Sequence, residues 1–420
     1  MSTEGTIEID GSMLEGGGQI LRLSTSLAMY LNKSIIINNI RAGRPKPGLA
    51  AQHLASIKSA VNFYSQVKTS GFEIGSTEIR INFNTMFISE LKETIDETDK
   101  ESHEINIGTA GACTLVLQTI LPLLVGMDSA HLKINGGTRV PFSPLIDYFE
   151  HVFLPMSKLK PLFNFRTIRH GFFPVGGGSI QLFKNQEIAT YDQLFSVHTN
   201  KIGNDQTTKN LANEELELTD LSYDYRDFGE PGEVNLLVFG HGKLRSSTEQ
   251  ICNLIKSKLK NSCAINIPDK NIKIQAFNGK GSNLGAFLYV KSKKDPENLR
   301  KGHSQIITKN QNFRQFTDTL VGNFYERVYN SSCCVDDHMA DQLIIFFALG
   351  KKNSKMRVNY PLSLHTKTAI EIAKKFVSDR EFKVMPVSDE DEVCQICDIV
   401  CSGIEEAETQ DANIAGIITY

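Results

Sequence analysis

A strand that runs into a glycine-rich turn and out into a helix constrains this chain more than any other feature, because it recurs. Residues 6–10 alternate apolar and polar as a strand does. Gly16, Gly17 and Gly18 follow, and residues 19–31 then place Ile20, Leu21, Leu23, Leu27 and Ala28 on one helical face. A second strand is expected at 35–37, a proline-containing loop at 43–48, a helix at 50–64 and a strand at 79–83. The order returns at 104–107, where Gly108-Thr109-Ala110-Gly111 feeds a helix at 112–124. Near the C-terminus a helix at 338–349, a strand at 357–359 and a helix at 366–377 suggest a third unit. Strands alternating with helices predict sheets covered by helices, an α/β (α+β) fold, here with three units of one repeated kind.

A different stretch separates the second and third units. Residues 199–233 are polar and acidic and are expected to form a loop or a disordered excursion. Strands at 234–239, 272–277 and 286–290 and a helix at 247–259 then make a small α/β module. The expected organisation is a large domain from 1–185 and 293–420, with 186–292 inserted in it.

Composition narrows the functional classes. With 420 residues and 40% hydrophobic content the chain can bury a sizeable core. A net charge of −3 excludes coating nucleic acid by bulk charge, so any RNA contact needs a local basic site. Eight dispersed cysteines show no disulfide framework. No signal peptide is read at residues 1–11, and no apolar run is long enough to predict a membrane span. A reducing compartment, cytosol or nucleus, is expected.

Four stretches carry chemistry. In the first, residues 10–22, three glycines at a strand-to-helix turn let backbone N–H groups approach an anion. Glu15, just before them, can hold a divalent metal on phosphates; a tight turn with a capping carboxylate reads the same. In the second, Arg41, Arg44 and Lys46 lie on a loop stiffened by Pro45 and Pro47, suited to phosphate oxygens or simply a solvated basic loop. In the third, His365 follows a strand and immediately precedes a helix. Neutral imidazole is a competent nucleophile toward the α-phosphate of ATP; a helix-capping or core histidine is the plain alternative. In the fourth, Asp341 and Gln342 open an apolar helix and can bind a base or ribose, or serve only as capping residues. Cys394, Cys397 and Cys401 have half the spacing of a zinc site, but no second Cys/His pair follows and the stretch alternates like a strand. No Walker A motif and no kinase signature is present.

Together these stretches resemble the RNA 3′-terminal phosphate cyclases. The likeness runs through residues 10–22, 40–49 with 52–54, 75–79, 109–122, Gly136-Gly137-Thr138 with Pro144, Asp147 and Tyr148, 171–178, 341–343 and 364–370, the last in a eukaryotic form. The resemblance implies three α/β repeats related to those of enolpyruvyl transferases, with a smaller inserted α/β domain. It implies an ATP-dependent, ligase-type nucleotidyl transfer with Mg²⁺ or Mn²⁺, in which a histidine carries AMP and an RNA 3′-phosphate becomes a 2′,3′-cyclic phosphate. By motif His365 is that nucleophile. Gln118, Pro144, His338, Asp341 and Gln342 fall on nucleotide-binding positions, Glu15 on the metal-side carboxylate, and Arg22, Arg41 and Arg44 on basic positions near the phosphates. The implied partners are ATP and an RNA with a 3′-terminal phosphate, with no membrane; the implied location is the nucleoplasm, with the cytosol second. Four departures stand out. Position 338 is commonly tyrosine, Arg139 replaces an expected small polar residue, 292–316 shows no glycine-basic-glycine loop with a base-stacking aromatic, and 199–233 is longer and more acidic than the family's insert implies. A cyclase-like branch without activity, serving ribosome assembly and rRNA processing, is the main rival and lacks the active-site histidine. An enolpyruvyl-type transferase is a second, by kinship of fold alone, and leaves His365 unexplained.

Overall fold

A computed structural model describes residues 5–63, 67–83, 103–127, 130–185, 221–308, 310–387 and 395–402. The fold is mixed α/β, with four four-stranded sheets among these residues. The first holds β1 (Ile7–Asp10), β2 (Ile35–Asn38), β3 (Val67–Ser70) and β4 (Ile79–Phe83), with helices α1 (Gly18–Tyr30) and α2 (Ala51–Val61). The second holds β5 (His103–Asn106), β6 (His131–Gly136), β7 (Phe163–Arg169) and β8 (Gly178–Lys184), with α3 (Cys113–Val125) and a helical stretch, α4, over 146–156. The third holds β9 (Asp224–Tyr225), β14 (Ser354–Asn359), β15 (Phe382–Val387) and β16 (Ile396–Cys401), with α7 (Asp337–Leu349) and α8 (Leu364–Phe376). The strand orders are β1-β2-β4-β3, β5-β6-β8-β7 and, read from its other edge, β9-β14-β16-β15. In each the first two strands pair parallel and the remaining pairs are antiparallel.

The fourth sheet has the order β11-β10-β12-β13 and contains β10 (Pro231–Gly242), β11 (Ile272–Phe277), β12 (Ser282–Ser292) and β13 (Arg300–Ile306). Helix α5 (Thr248–Cys263) connects the parallel pair β10 and β11, and α6 (Phe313–Phe324) packs on α5 and β13. This sheet runs to residue 306, past 292, where the insert is expected from sequence to end.

One expectation is corrected. Residues 221–233 are not an excursion. Leu221, Tyr223, Tyr225 and Phe228 are buried, and β9 pairs with β14. The Tyr223 and Tyr225 hydroxyls donate to the carbonyls of Ser157 and Met156 at 3.0 and 2.7 Å. The acids between them hide this alternation from a count of polar residues. Residues 199–220 lie outside the described part.

Helix α1 is the hub of the large body, packing against α2, α3 and α8. That explains why Ser24, Thr25 and Ser26 are buried beside the expected apolar stripe, since small side chains let neighbouring helices approach. A second joint involves Asp336, the buried N-cap of α7. It accepts from the backbone of His338 (3.1 Å) and Met339 (3.0 Å), from Gly302 of β13 (2.8 Å) and from the Tyr148 hydroxyl of α4 (2.6 Å). Three elements are thereby fixed at the helix end that carries His338 and Asp341. Among the described residues no helix is long and apolar enough to cross a membrane.

The departure at position 139 has a structural role. Arg139 is fully buried and makes a two-pronged ion pair with Asp147, both contacts 2.7 Å. It also donates to Gln275 of β11 at 2.6 Å and lies over the Phe239 and Phe277 rings, so it bridges the second and fourth sheets. Burial pushes the Asp147 carboxyl up, but the Arg139 guanidinium outweighs it and holds the group below its ordinary value. Arg139→Leu strands that carboxylate unpaired, at an expected cost of about 3–5 kcal/mol in denaturant unfolding. A loss within the roughly 0.5 kcal/mol of ordinary surface substitutions would contradict this role.

Candidate active site

The glycine turn is shaped by left-handed backbone at Leu14 (φ 46°) and Gly16 (φ 58°). No side chain caps the start of α1, so its first N–H groups keep their affinity for an anion. The Glu15 carboxylate folds over Gly17, where an added Cβ would lie 2.2 Å from either carboxylate oxygen. Its backbone N–H donates to Thr368 Oγ1 on α8 at 3.3 Å, joining the turn to the helix of His365. Arg44 pairs with Glu15 Oε1 and donates to its carbonyl at 2.9 Å. Glu15 Oε2 is buried with no hydrogen-bond partner, a choice position for a divalent cation.

Arg22 and His53 lie against Gly18. Burial, then Arg22 and Arg41, lower the His53 pKa to about 3, so this ring is neutral at pH 7; its Nδ1 accepts from the Ala50 N–H at 3.2 Å. Arg41 donates to the Gly48 carbonyl at 2.8 Å and so braces its own loop. The three arginines, one neutral imidazole and the uncapped helix end make a surface for a polyanion.

His365 sits inside the first turn of α8, not before the helix as its spacing suggests, and Ser363 caps that turn by accepting from the Thr366 N–H at 3.1 Å. The ring Nδ1 is 3.0 Å from Gln19 Oε1, and Gln19 Nε2 donates to Asp341 Oδ2 at 2.7 Å. The carboxylate accepts from the amide NH₂, so the amide oxygen must face the histidine. Nδ1 is therefore the protonated nitrogen, and the lone pair is left on Nε2. Desolvation lowers the His365 pKa; Glu15 raises it, while Arg22, His338 and Arg44 lower it further. The helix N-terminus acts in the same direction by disfavouring a cation.

Gln19, Arg22, Gln118, Asp341 and Gln342 line one cavity closed at the back by Leu121, Phe153 and Ile345. Burial raises the Asp341 pKa to about 7 against the pull of Arg22, and lowers the Arg22 pKa to about 10 against that of Asp341 and Glu15. Gln342 accepts from Gln118 Nε2 at 2.7 Å and donates to the His338 carbonyl. The exposed His338 ring stacks on His303 of β13, centroids 5.9 Å apart and planes at 13°. Pro144 stands apart from this cavity; its carbonyl accepts from Thr114 Oγ1 at 2.9 Å, about one turn before Gln118 on α3.

The structure thus joins Asp341, Gln342, Gln118 and Arg22 around one cavity, ties His365 to it through Gln19, and sets Glu15 and Arg44 beside them. Gln19 and His303 are further site residues that the sequence does not single out. Gln19 stands in the glycine motif, but only the fold brings it between residues 341 and 365. His303 lies within 292–316, where a stacking aromatic is sought, without the expected glycines.

The sequence model of the RNA 3′-terminal phosphate cyclase family matches residues 13–384. The chain belongs to that family. A protein named RNA 3′-terminal phosphate cyclase from Sulfurisphaera tokodaii is 45% identical over 177 residues, 42% of this chain and 48% of the relative. One of the same name from Archaeoglobus fulgidus is 41% identical over 178 residues, 42% of this chain and 50% of the relative. These two matches span about half of each relative's length. A third, from Desulfurococcus amylolyticus, is 28% identical over 380 residues, 90% of this chain and 94% of the relative. In this member of the cyclase family the lowered pKa of His365 has a direct readout. Titrated by NMR, and assigned by comparison with His365→Asn, the ring should show its midpoint below 6.5. A midpoint at or above 6.5 would contradict a neutral His365 ring.

Proposed function

We propose that this protein converts an RNA 3′-terminal phosphate to a 2′,3′-cyclic phosphate at the expense of ATP. The observation that carries the reading is the His365–Gln19–Asp341 chain, which presents an Nε2 lone pair beside an arginine-rich glycine turn. In the first step Nε2 attacks the α-phosphorus of ATP, the bond to the pyrophosphate oxygen breaks, and AMP stays on His365. Arg22, Arg44 and the α1 N-terminus stabilise the departing pyrophosphate. The imidazolium-like charge that develops is held through Nδ1–H by Gln19. In the second step an oxygen of the RNA 3′-phosphate attacks that AMP phosphorus, and the P–N bond breaks to regenerate the imidazole. In the third the neighbouring 2′-OH attacks the activated 3′-phosphorus, loses its proton, and AMP leaves as the ring closes. This step is intramolecular and gains from proximity. A 3′-phosphorylated DNA lacks the 2′-OH and would stop at the adenylate.

Glu15, through its orphaned Oε2, would hold Mg²⁺ or Mn²⁺. Such an ion supplies charge stabilisation to the phosphates when bound. His338 and His303 are read as the aromatic side of the nucleotide site and Gln118, Asp341 and Gln342 as its polar side, with Pro144 at its margin. Arg41 orders the basic loop that presents Arg44.

We also propose that the first three sheets are copies of one βαβαββ unit of enolpyruvyl-transferase kinship, a reading supported by their common strand order. The fourth sheet with α5 and α6 then lies inside the third unit, between β9 and α7. The eukaryotic form, which rests on residues 364–370, and a nucleoplasmic location with the cytosol second, which rests on the family resemblance alone, are proposals of the same standing.

The test is incubation with α-labelled ATP and metal, then denaturing electrophoresis, alongside cyclisation of a 3′-phosphorylated RNA. The wild type should form a protein–AMP adduct stable to alkali and lost in acid. His365→Ala should lose both the adduct and cyclisation but still cyclise RNA supplied as the 3′-adenylate. A wild type that forms no adduct would favour the inactive ribosome-assembly reading.

A further inference from the structure

A chain of net charge −3 needs a local basic surface for RNA, and one lies apart from the nucleotide cavity. The turn between β7 and β8 faces the end of β10 and the β11–β12 loop across a cleft of about 540 Å³. Its walls carry Arg169, His170, Phe172, His241, Phe277 and Lys280, and none of its lining residues is a carboxylate. Arg245 adds a third cation at the margin, donating to the side chain of Asn278 in the same loop. The rim exposes Ile168, Phe173 and Val175, large apolar side chains that water serves poorly.

The interior is built around aromatic rings. Phe172 stacks on His241, centroids 4.3 Å apart and planes at 12°, and His170 meets Phe277 edge-on at 5.2 Å. His241 is only 9% exposed, lines the cleft, and has no hydrogen-bond partner at Nδ1. A buried polar nitrogen without a partner costs stability unless a ligand satisfies it. Gly279, at φ 150°, leaves space for that ring, since a Cβ there would stand 2.3 Å from His241 Nε2. Burial lowers the pKa of His241 and takes that of His170 to about 4, so both rings are neutral at pH 7 and the charge comes from the Arg and Lys side chains.

The cleft is also close to the site. Gly176, on its wall, packs on the loop before α3, where a Cβ would meet the Thr109 carbonyl at 2.9 Å. The first residue after that loop, Ala112, donates its N–H to Gln52 Oε1 at 2.9 Å. The next residue along α2, His53, lies against Gly18. One loop therefore separates the cleft from the glycine turn.

We propose that this cleft holds the single-stranded RNA segment upstream of the reacting 3′ end, with bases against Phe172, Phe173 and Phe277 and phosphates on Arg169 and Lys280. Alternating aromatic faces and cations with no carboxylate are the pattern of single-strand binding, in which every base offers a face and every phosphate a charge. The inference rests on the reading of the chain as an RNA-cyclising enzyme.

Two variants test it: Arg169→Gln with Lys280→Gln, and Phe173→Ala alone at the exposed rim. Adduct formation with ATP needs no RNA and should be unchanged in both. The KM for cyclising a 12-nucleotide single strand should rise roughly ten-fold or more in the double variant, with kcat kept and with a dinucleotide 3′-phosphate unaffected. Neutralising two phosphate contacts should also flatten the salt dependence of 12-mer binding, measured by fluorescence anisotropy, by a slope of about 1.4. Unchanged 12-mer binding and KM, or an equal change for both substrates, would overturn the cleft. If the wild type forms no adduct, the cyclase reading fails. The anisotropy comparison then decides the cleft alone, with loss of binding in the variants supporting it and equal binding sinking it.

Discussion

The site depends on one amide. Gln19 stands at the start of α1 and spans from His365 to Asp341, so three stretches far apart in sequence meet through its two polar atoms. Its orientation follows from the carboxylate on one side, and that orientation fixes the proton of His365 on Nδ1. Nothing on α8 alone sets the tautomer. The packing of α1 against α3 and α8 is what holds the amide in place, and Ser24, Thr25 and Ser26 of the same helix are buried.

Electrostatics around this amide are set more by burial than by pairing. Desolvation lowers the pKa of Arg22 and His365 and raises that of Asp341, each against at least one opposing charge. The neutral form of His365 is thereby favoured, while Arg22 at about 10 stays charged at pH 7. With Arg44 and the open end of α1, the cavity is biased toward a bound anion while the neighbouring His365 ring stays unprotonated. Among the described residues Glu15 is the one acid that keeps a buried oxygen without a protein partner.

Much of this is legible in the sequence, and the remainder is not for physical reasons. The glycine turn and the helices of His365 and Asp341 announce themselves because local spacing encodes them. The strand β9 hides because its buried tyrosines are interleaved with acids, so composition outweighs alternation. The extent of the fourth sheet hides because β13 gains its identity by pairing with β12, a contact no local pattern specifies. Arg139 departs from its expected residue because it reaches across to Gln275 and two aromatic rings of another sheet. The joint at Asp336 likewise depends on Tyr148 and Gly302, residues 188 and 34 positions away. Pro144 shows the converse: a motif places it at the nucleotide, while the fold leaves it out of the cavity's lining.

The central claim is that the Nε2 of His365 is the atom that carries AMP. The most direct measurement traps the adduct from ATP alone, digests it at neutral to alkaline pH, and locates AMP by tandem mass spectrometry, with ³¹P NMR to tell the two ring nitrogens apart. The account predicts AMP on the peptide containing His365, bonded through Nε2. AMP on Lys46, His338 or any other residue, or bonded through Nδ1 of His365, would contradict it.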